Sequence, residues 1–311
     1  MRKSQKYLIN FQKSRQLKDW LAYFSALTWE KLTKYRKYPA ILSFGETCIN
    51  ELFVETIIDD ILKYNLPIRF FHAKDETANG NDFEIFLPID NYHYVLFPCQ
   101  AKKLYKNEKY TAIQHPVGAK KREQILYLID YAKEVKGFPL YFLYNYTPKT
   151  FNPKDLKEYS KYEKELFGCT MISAFYLLDN FLQSNQRLKK MSFSDIHTPA
   201  APLVKLADLY KTNYFNDKLI LKVFGEVKYK KHQKALDRIK GYTITDIVNE
   251  KIIDKEWLEI HPQDKKRFLG LQEKVLKTNL IDDSNYEFNP KYRIVFTTKN
   301  IPVEDRLNSF V

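Results

Sequence analysis

The run Pro139-Leu140-Tyr141-Phe142-Leu143-Tyr144 most constrains what this chain can fold into. It is strand length, continuously apolar and without polar alternation. A strand of that kind is buried on both faces, so its sheet needs helices above and below it. Upstream, Asp82-Phe83-Glu84-Ile85-Phe86-Leu87 alternates instead, as a half-buried strand does, and Tyr94 to Lys102 reads as the next strand, where Pro98 predicts a bulge or an edge position. The Pro88–Asn91 stretch between them predicts a turn centred near Asp90 that lays the two runs side by side. Pro67 to His72 reads as an earlier strand, and Ala78-Asn79-Gly80-Asn81 as turn material. Helical periodicity covers Glu46 to Tyr64, ending ahead of Pro67, and again Ala119 to Lys136. The order helix, three strands, helix, strand predicts an α/β fold with a mixed sheet flanked by helices.

Outside this stretch the pattern is helical at the N-terminus and weaker beyond residue 150. Tyr7, Leu8, Phe11, Leu17, Trp20, Leu21, Phe24 and Leu27 recur at three- and four-residue steps, predicting one or two helices over residues 3–36. Phe167 to Leu182, 203–211 and 231–240 also read as helical, and Tyr292-Arg293-Ile294-Val295-Phe296-Thr297 as a late strand. The expected organisation is a helical segment over 1–40, a core over 41–150, and an α-rich C-terminal extension over 151–311 packed on that core.

Composition narrows the function. Hydrophobic residues at 44% and aromatics at 15% exclude a disordered chain. Eight glycines in 311 residues leave few places for a glycine-rich phosphate loop. Cys48, Cys99 and Cys169 are far apart and odd in number, so they make neither a disulfide framework nor a zinc pattern, and the six histidines show no ligand pair. No run of 18 uncharged apolar residues predicts a membrane span, and the charged N-terminus lacks the apolar core of a signal peptide, so a cytoplasmic protein is expected. The net charge of +13 makes nucleic acid or another anionic surface a natural partner. That charge is uneven: residues 41–100 carry 3 basic and 10 acidic side chains, whereas residues 1–40 carry 10 and 2. The acidic island is either a solvated helix surface or a set of metal-binding carboxylates within a polyanion-gripping protein.

Alternation on the paired runs suggests chemistry. Asp82 and Glu84 share one strand face, and Gln100 and Lys102 share one face of the next strand. Side by side, they would put carboxylates, an amide oxygen and an ammonium on one patch. Such a patch is either the wet face of a sheet or a site where oxygen donors hold Mg²⁺ against a phosphate while Lys102 orients or helps deprotonate the attacking water. Glu46 lies near the centre of the apolar face that Ile49, Leu52, Phe53, Val54, Ile57 and Ile61 define, whereas Glu51 and Glu55 lie opposite. It is either a dipole-favoured helix-start acid or a further metal ligand.

These residues resemble a known family. Glu46, Gly80-Asn81-Asp82-Phe83-Glu84 and Gln100-Ala101-Lys102 are similar to the PD-(D/E)XK nuclease superfamily, in the Gln-x-Lys variant of its Mrr-like restriction enzymes. An uncharacterised bacterial family of PD-(D/E)XK-like proteins resembles residues 44–210 more closely, through Gly45-Glu46-Thr47, Tyr110, Gln124-Ile125, Pro139-Leu140-Tyr141, Tyr144-Asn145, Gly168-Cys169 and Pro202-Leu203. The resemblance implies a restriction-endonuclease-like αβββαβ core and a Mg²⁺- or Mn²⁺-dependent endonuclease acting on DNA, with RNA as the other substrate, in restriction or phage defence. It implies Asp82 as the central metal ligand, Gln100 where most members carry an acid, Lys102 as the catalytic lysine, and Glu46 and Glu84 as further ligands. A homodimer or a defence-system partner protein is also compatible with it. Lys103, Lys106, Lys109, Lys120, Lys121 and Arg122 could track phosphates, with Tyr105 and Tyr110 stacking on bases, or simply form a solvated loop. Lys228, Lys230, Lys231, Lys234, Arg238 and Lys240 form a second basic run, read as a backbone-binding or a solvated helix face. Gln124, with Tyr127 and Tyr131, either resembles the helix glutamine of RecB-like nucleases, at a spacing that departs from theirs, or is part of a packed amphipathic helix, the reading that helical periodicity favours. The other function class is a catalytically inactive nucleic-acid-binding or protein-interaction subunit on the same scaffold.

Overall fold

The N-terminal periodicity divides into two helices in the computed structural model, α1 (Lys3–Ser14) and α2 (Leu17–Lys37). Arg15 takes the left-handed conformation, φ 55°, and reverses the chain between them. The structure describes residues 2–37, 46–64, 66–74, 79–110, 113, 116–117, 122–182, 191–211, 223–224, 234, 237–248, 257–259 and 288–297. A third helix, α3 (Glu46–Tyr64), buries Ile49, Phe53, Val54, Ile57 and Ile58 and exposes Glu55. Trp20 of α2 donates its indole N–H to the buried Asp60 carboxylate at 2.7 Å, which fastens the two helices. Burial raises the Asp60 carboxyl above the ordinary aspartate range, against the lowering effect of that hydrogen bond.

The strands follow in chain order: β1 (Ile68–Ala73), β2 (Asn79–Pro88), β3 (His93–Lys103), the short ribbon β4 (Pro116–Val117) and β5 (Arg122–Glu123), β6 (Leu140–Tyr144), β7 (Cys169–Ser173), β8 (Ala201–Pro202), β9 (Gly241–Thr243), β10 (Trp257–Glu259) and β11 (Pro290–Phe296). Helix α4 (Gln124–Glu134) joins β5 to β6. Among the described residues the central sheet has nine strands, in the order β10-β1-β11-β2-β3-β6-β7-β8, with β9 paired to the start of β3. It is mixed: β2 and β3 are antiparallel, β3 and β6 parallel. The fold is α/β, as the double-sided apolar run of β6 requires. Helix α3 lies on one face, where Phe53 packs 6.0 Å from Phe83 and 5.5 Å from Phe142. Helix α4 lies on the other, where the Tyr131 hydroxyl donates to Glu84. Phe83 and Glu84 are consecutive on β2, so they point to opposite faces.

Several sequence-based expectations change. Beyond residue 150 the chain is not simply an α-rich extension: it supplies five strands of the central sheet, β7 to β11. Nor do β1 and β2 pair with each other. β11 enters between them, antiparallel to β1 and parallel to β2. Cys169–Ser173, expected as helix, is a strand beside β6, and a helix begins only at Ala174, capped by the Ser173 hydroxyl. Short apolar runs do not distinguish buried strand from buried helix by periodicity. Asn79-Gly80-Asn81 belongs to β2 rather than to a turn, and the β2–β11 register shifts there, with Pro290 opposite Asn79 but Tyr292 opposite Phe83. Pro98 sits in a stretch of β3 bounded by the β9 pairing, which ends at Val95, and the β6 pairing, which begins at Cys99. The strand locally has an edge there, which tolerates a residue without an N–H. The expected helix over 231–240 falls largely outside the described residues. The turn at Asp90 is as expected: its carboxylate accepts the backbone N–H groups of Tyr92 and His93, each at 2.7 Å.

Candidate active site

The antiparallel register of β2 and β3 places Asp82 directly opposite Gln100. The Gln100 carboxamide donates to Asp82 Oδ1 at 3.1 Å. Lys102 lies two residues further along β3 and therefore on the same face. Tyr141 and Leu143 on β6 are in register with Gln100 and Lys102 and continue the patch as an apolar floor. Asp82 and Gln100 are fully buried, and Lys102 is 3% exposed. One carboxylate, one carboxamide and one ammonium thus share a surface screened from water, where charge–charge effects are stronger than in solvent.

Glu84, expected beside Asp82 as a further metal donor, is engaged elsewhere. Its Oε2 receives the Arg293 Nε–H at 2.8 Å, and its Oε1 receives the Tyr131 hydroxyl. Arg293 is itself buried: its Nη1 donates to the Ile247 carbonyl at 2.8 Å, and its guanidinium lies 4.1 Å from the Trp257 ring centroid and 5.2 Å from that of Phe86. Burial pushes the Tyr131 hydroxyl well above the ordinary tyrosine range, the Glu84 carboxylate adds to the rise, and the field of Arg293 opposes it. Among the described residues, no group of three or more His, Cys, Asp or Glu side chains is gathered closely enough to hold a metal ion. Glu46 begins α3, but its side chain lies outside the described residues, so the distance from its carboxylate to Asp82 is not defined. Of the two acids expected opposite it, Glu55 is exposed and Glu51 half-buried.

The basic residues after β3 divide. Lys106 and Lys109 are exposed, and the half-buried Lys103 sets its ammonium 4.9 Å from the centroid of the exposed Tyr105 ring. Tyr110 is not available for base stacking: it is buried, and its hydroxyl donates to Asn145. Lys120 and Lys121 lie outside the described residues, as does the Arg122 side chain. In the second basic run Lys234, Arg238 and Lys240 are exposed, and Lys228, Lys230 and Lys231 lie outside the described residues. Cys99 and Cys169 are buried thiols whose ionisation burial pushes upward, the behaviour of packing residues.

With the geometry in place, the chain can be set beside known proteins. The model of a family of unknown function (DUF6615) matches residues 17–284. The chain belongs to DUF6615. No curated protein and no solved structure matches it. The DUF6615 match spans Asp82, Gln100, Lys102 and Glu84, and ends before β11, the strand that carries Arg293. Arg293 and Tyr131 are the residues around this site that sequence reasoning missed. The available signal was an arginine inside the otherwise apolar run Tyr292-Arg293-Ile294-Val295, since a charge in a buried strand needs a buried partner.

No helix among the described residues is long and apolar enough to cross a membrane.

Proposed function

We propose that this DUF6615 chain is a metal-dependent nuclease of PD-(D/E)XK type that hydrolyses phosphodiester bonds in nucleic acid, working in the cytoplasm in restriction or phage defence. The observation that carries the reading is the in-register Asp82–Gln100 pair with Lys102 on the same face of β3, within the succession α3, β1 to β3, the short β4–β5 ribbon, α4 and β6. The donor set suits a hard cation: a carboxylate and an amide oxygen match the oxygen preference of Mg²⁺, which keeps several waters and shares the substrate phosphate. Asp82 and Gln100 would hold such an ion. Bound there, it would supply charge stabilisation at the transferring phosphorus. Lys102 would orient the attacking water and stabilise the oxygen that develops charge, strengthened by the dry surroundings.

A second reading has its own support. Asp82 and Gln100 are fully buried, and Glu84 is spent in an ion pair. Both facts favour a non-catalytic nucleic-acid-binding subunit that keeps the scaffold. Incubation of purified protein with plasmid DNA and with RNA, with and without Mg²⁺ or Mn²⁺, separates the two. The nuclease reading expects metal-dependent cleavage that Lys102→Ala abolishes, a loss of at least about 100-fold, since a positioned proton-transfer group contributes roughly 10²–10⁴-fold. Wild-type cleavage by Lys102→Ala, or no cleavage by the wild type under any of these conditions, overturns it.

A further inference from the structure

Helix α2 ends in Lys34, Arg36 and Lys37, and that last turn lies against the turn that follows β3. Arg36 fastens the two. Its guanidinium is 3.5 Å from Glu108 Oε1 and 4.4 Å from the Tyr146 ring centroid, and the Tyr146 hydroxyl donates to the Tyr105 carbonyl at 2.7 Å. The turn itself is well defined. Tyr105 N–H donates to the Lys109 carbonyl at 3.0 Å, Glu108 N–H to the Tyr105 carbonyl at 2.9 Å, and Glu108 adopts φ 59°. Tyr110 N–H then bonds the Met191 carbonyl at 2.8 Å, which ties the far side of the turn to the body of the protein. Lys34 and Lys37 of the helix end and Lys106 and Lys109 of the turn are all exposed. Glu108, the acid within it, has its charge opposed by Arg36. Tyr105 adds an exposed ring, 37% accessible, and the cation paired with that ring comes from Lys103, the residue next to Lys102.

We propose that the ridge formed by the last turn of α2 and the Tyr105–Lys109 turn binds a nucleic-acid strand with unpaired bases, its lysines on the phosphates and Tyr105 under a base. The inference rests on the reading of this chain as a nucleic-acid-acting protein and names its substrate class. Phosphates account for the cations, because each lysine contact releases condensed counterions. The exposed ring accounts for the unpaired bases: a ring can stack on a base face only when that face is out of the duplex, and this stacking is sequence-tolerant. A membrane surface fits less well. Ile9 and Tyr92, the other large apolar side chains exposed among the described residues, are on α1 and at the β2–β3 turn, so the ridge offers one ring rather than an apolar face to insert.

Fluorescence anisotropy with a labelled single-stranded oligonucleotide, the matching duplex and anionic lipid vesicles, each over a series of salt concentrations, tests this. The proteins are the wild type, Lys34→Glu/Lys37→Glu/Lys106→Glu/Lys109→Glu, the corresponding Lys→Gln set and Tyr105→Ala; thermal melts confirm that each is folded. The wild type is expected to prefer the single strand. The Gln set is expected to lose about 2.8 from the slope of log affinity against log salt, at roughly 0.7 per phosphate contact, and the Glu set more. Tyr105→Ala is expected to weaken single-strand binding roughly 5- to 150-fold and duplex binding less. Unchanged affinity and slope in both lysine sets overturns the ridge, as does duplex or vesicle preference in the wild type. The nuclease reading fails separately. Ridge-dependent binding without cleavage leaves the ridge and removes the nuclease. Cleavage with an unchanged KM in the Glu set does the reverse.

Discussion

Replacing Arg293 by methionine tests whether the C-terminal strand is held in the sheet by charge. Arg293 is 1% exposed, and its Nε sits 2.8 Å from the fully buried Glu84 carboxylate. Methionine keeps an apolar stem of similar reach but removes the guanidinium that lies over Trp257 and Phe86, its bond to Glu84 and its bond to the Ile247 carbonyl. Glu84 then keeps only a neutral hydroxyl bond, from Tyr131, of the two that Tyr131 and Arg293 give it inside a dry sheet face. Stranding one member of a buried pair costs about 3–5 kcal/mol, a fifth or more of the roughly 5–15 kcal/mol that holds an average domain folded. Removing the whole cluster is a different perturbation. Glu84→Leu/Tyr131→Phe/Arg293→Met leaves no stranded charge or hydroxyl, and such apolar replacements are often near neutral, so this variant should be more stable than Arg293→Met alone. Urea denaturation followed by tryptophan fluorescence measures both effects; Trp257 lies against the altered side chain. A loss below about 1 kcal/mol for Arg293→Met, or a triple variant no more stable than it, would refute the reasoning that charge pairing, rather than apolar packing, seats β11.

Two further outcomes follow from close packing and from burial. A Cβ at Gly168 would fall 2.0 Å from the Ser25 carbonyl and 2.8 Å from Trp29 Cβ, both on α2, so Gly168→Ala should cost about 1–3 kcal/mol or more and lower Tm; an unchanged melt would show that α2 does not pass so close. Lys291 is buried, and desolvation lowers its pKa against the opposing pull of Glu51. Its folded-state pKa is therefore below the unfolded one. The cost of keeping it charged is present at neutral pH and disappears as pH rises toward the ordinary lysine range. Lys291→Met should thus be more stable than the wild type near pH 7, with an advantage that fades in alkali; thermal melts across pH that show no such gain would place the ammonium in water instead.

Local pattern was enough for the elements around the site, because each carries its own periodicity. The alternation of Asp82–Leu87, the strand-length run Tyr94–Lys102 and the Asp90 turn between them are properties of neighbouring residues, and they already implied that Asp82 and Gln100 share one patch. The unbroken apolar run of β6 likewise carried the requirement for helices on both faces of the sheet. What each acid does there is a different matter, since Asp82 and Glu84 have identical local settings: two carboxylates, two residues apart, on one strand face. Arg293 separates their roles, 209 residues further along the chain from Glu84. Tyr131, on α4, closes the other side of Glu84 only because that helix crosses the same sheet face. The entry of β11 between β1 and β2 had no local signature either, because strand order in a sheet depends on pairings between segments that no periodicity relates. The alignment of the α2 terminus with the Tyr105 turn is of the same kind: two basic clusters, unremarkable along the sequence, become one surface when Arg36 reaches Glu108.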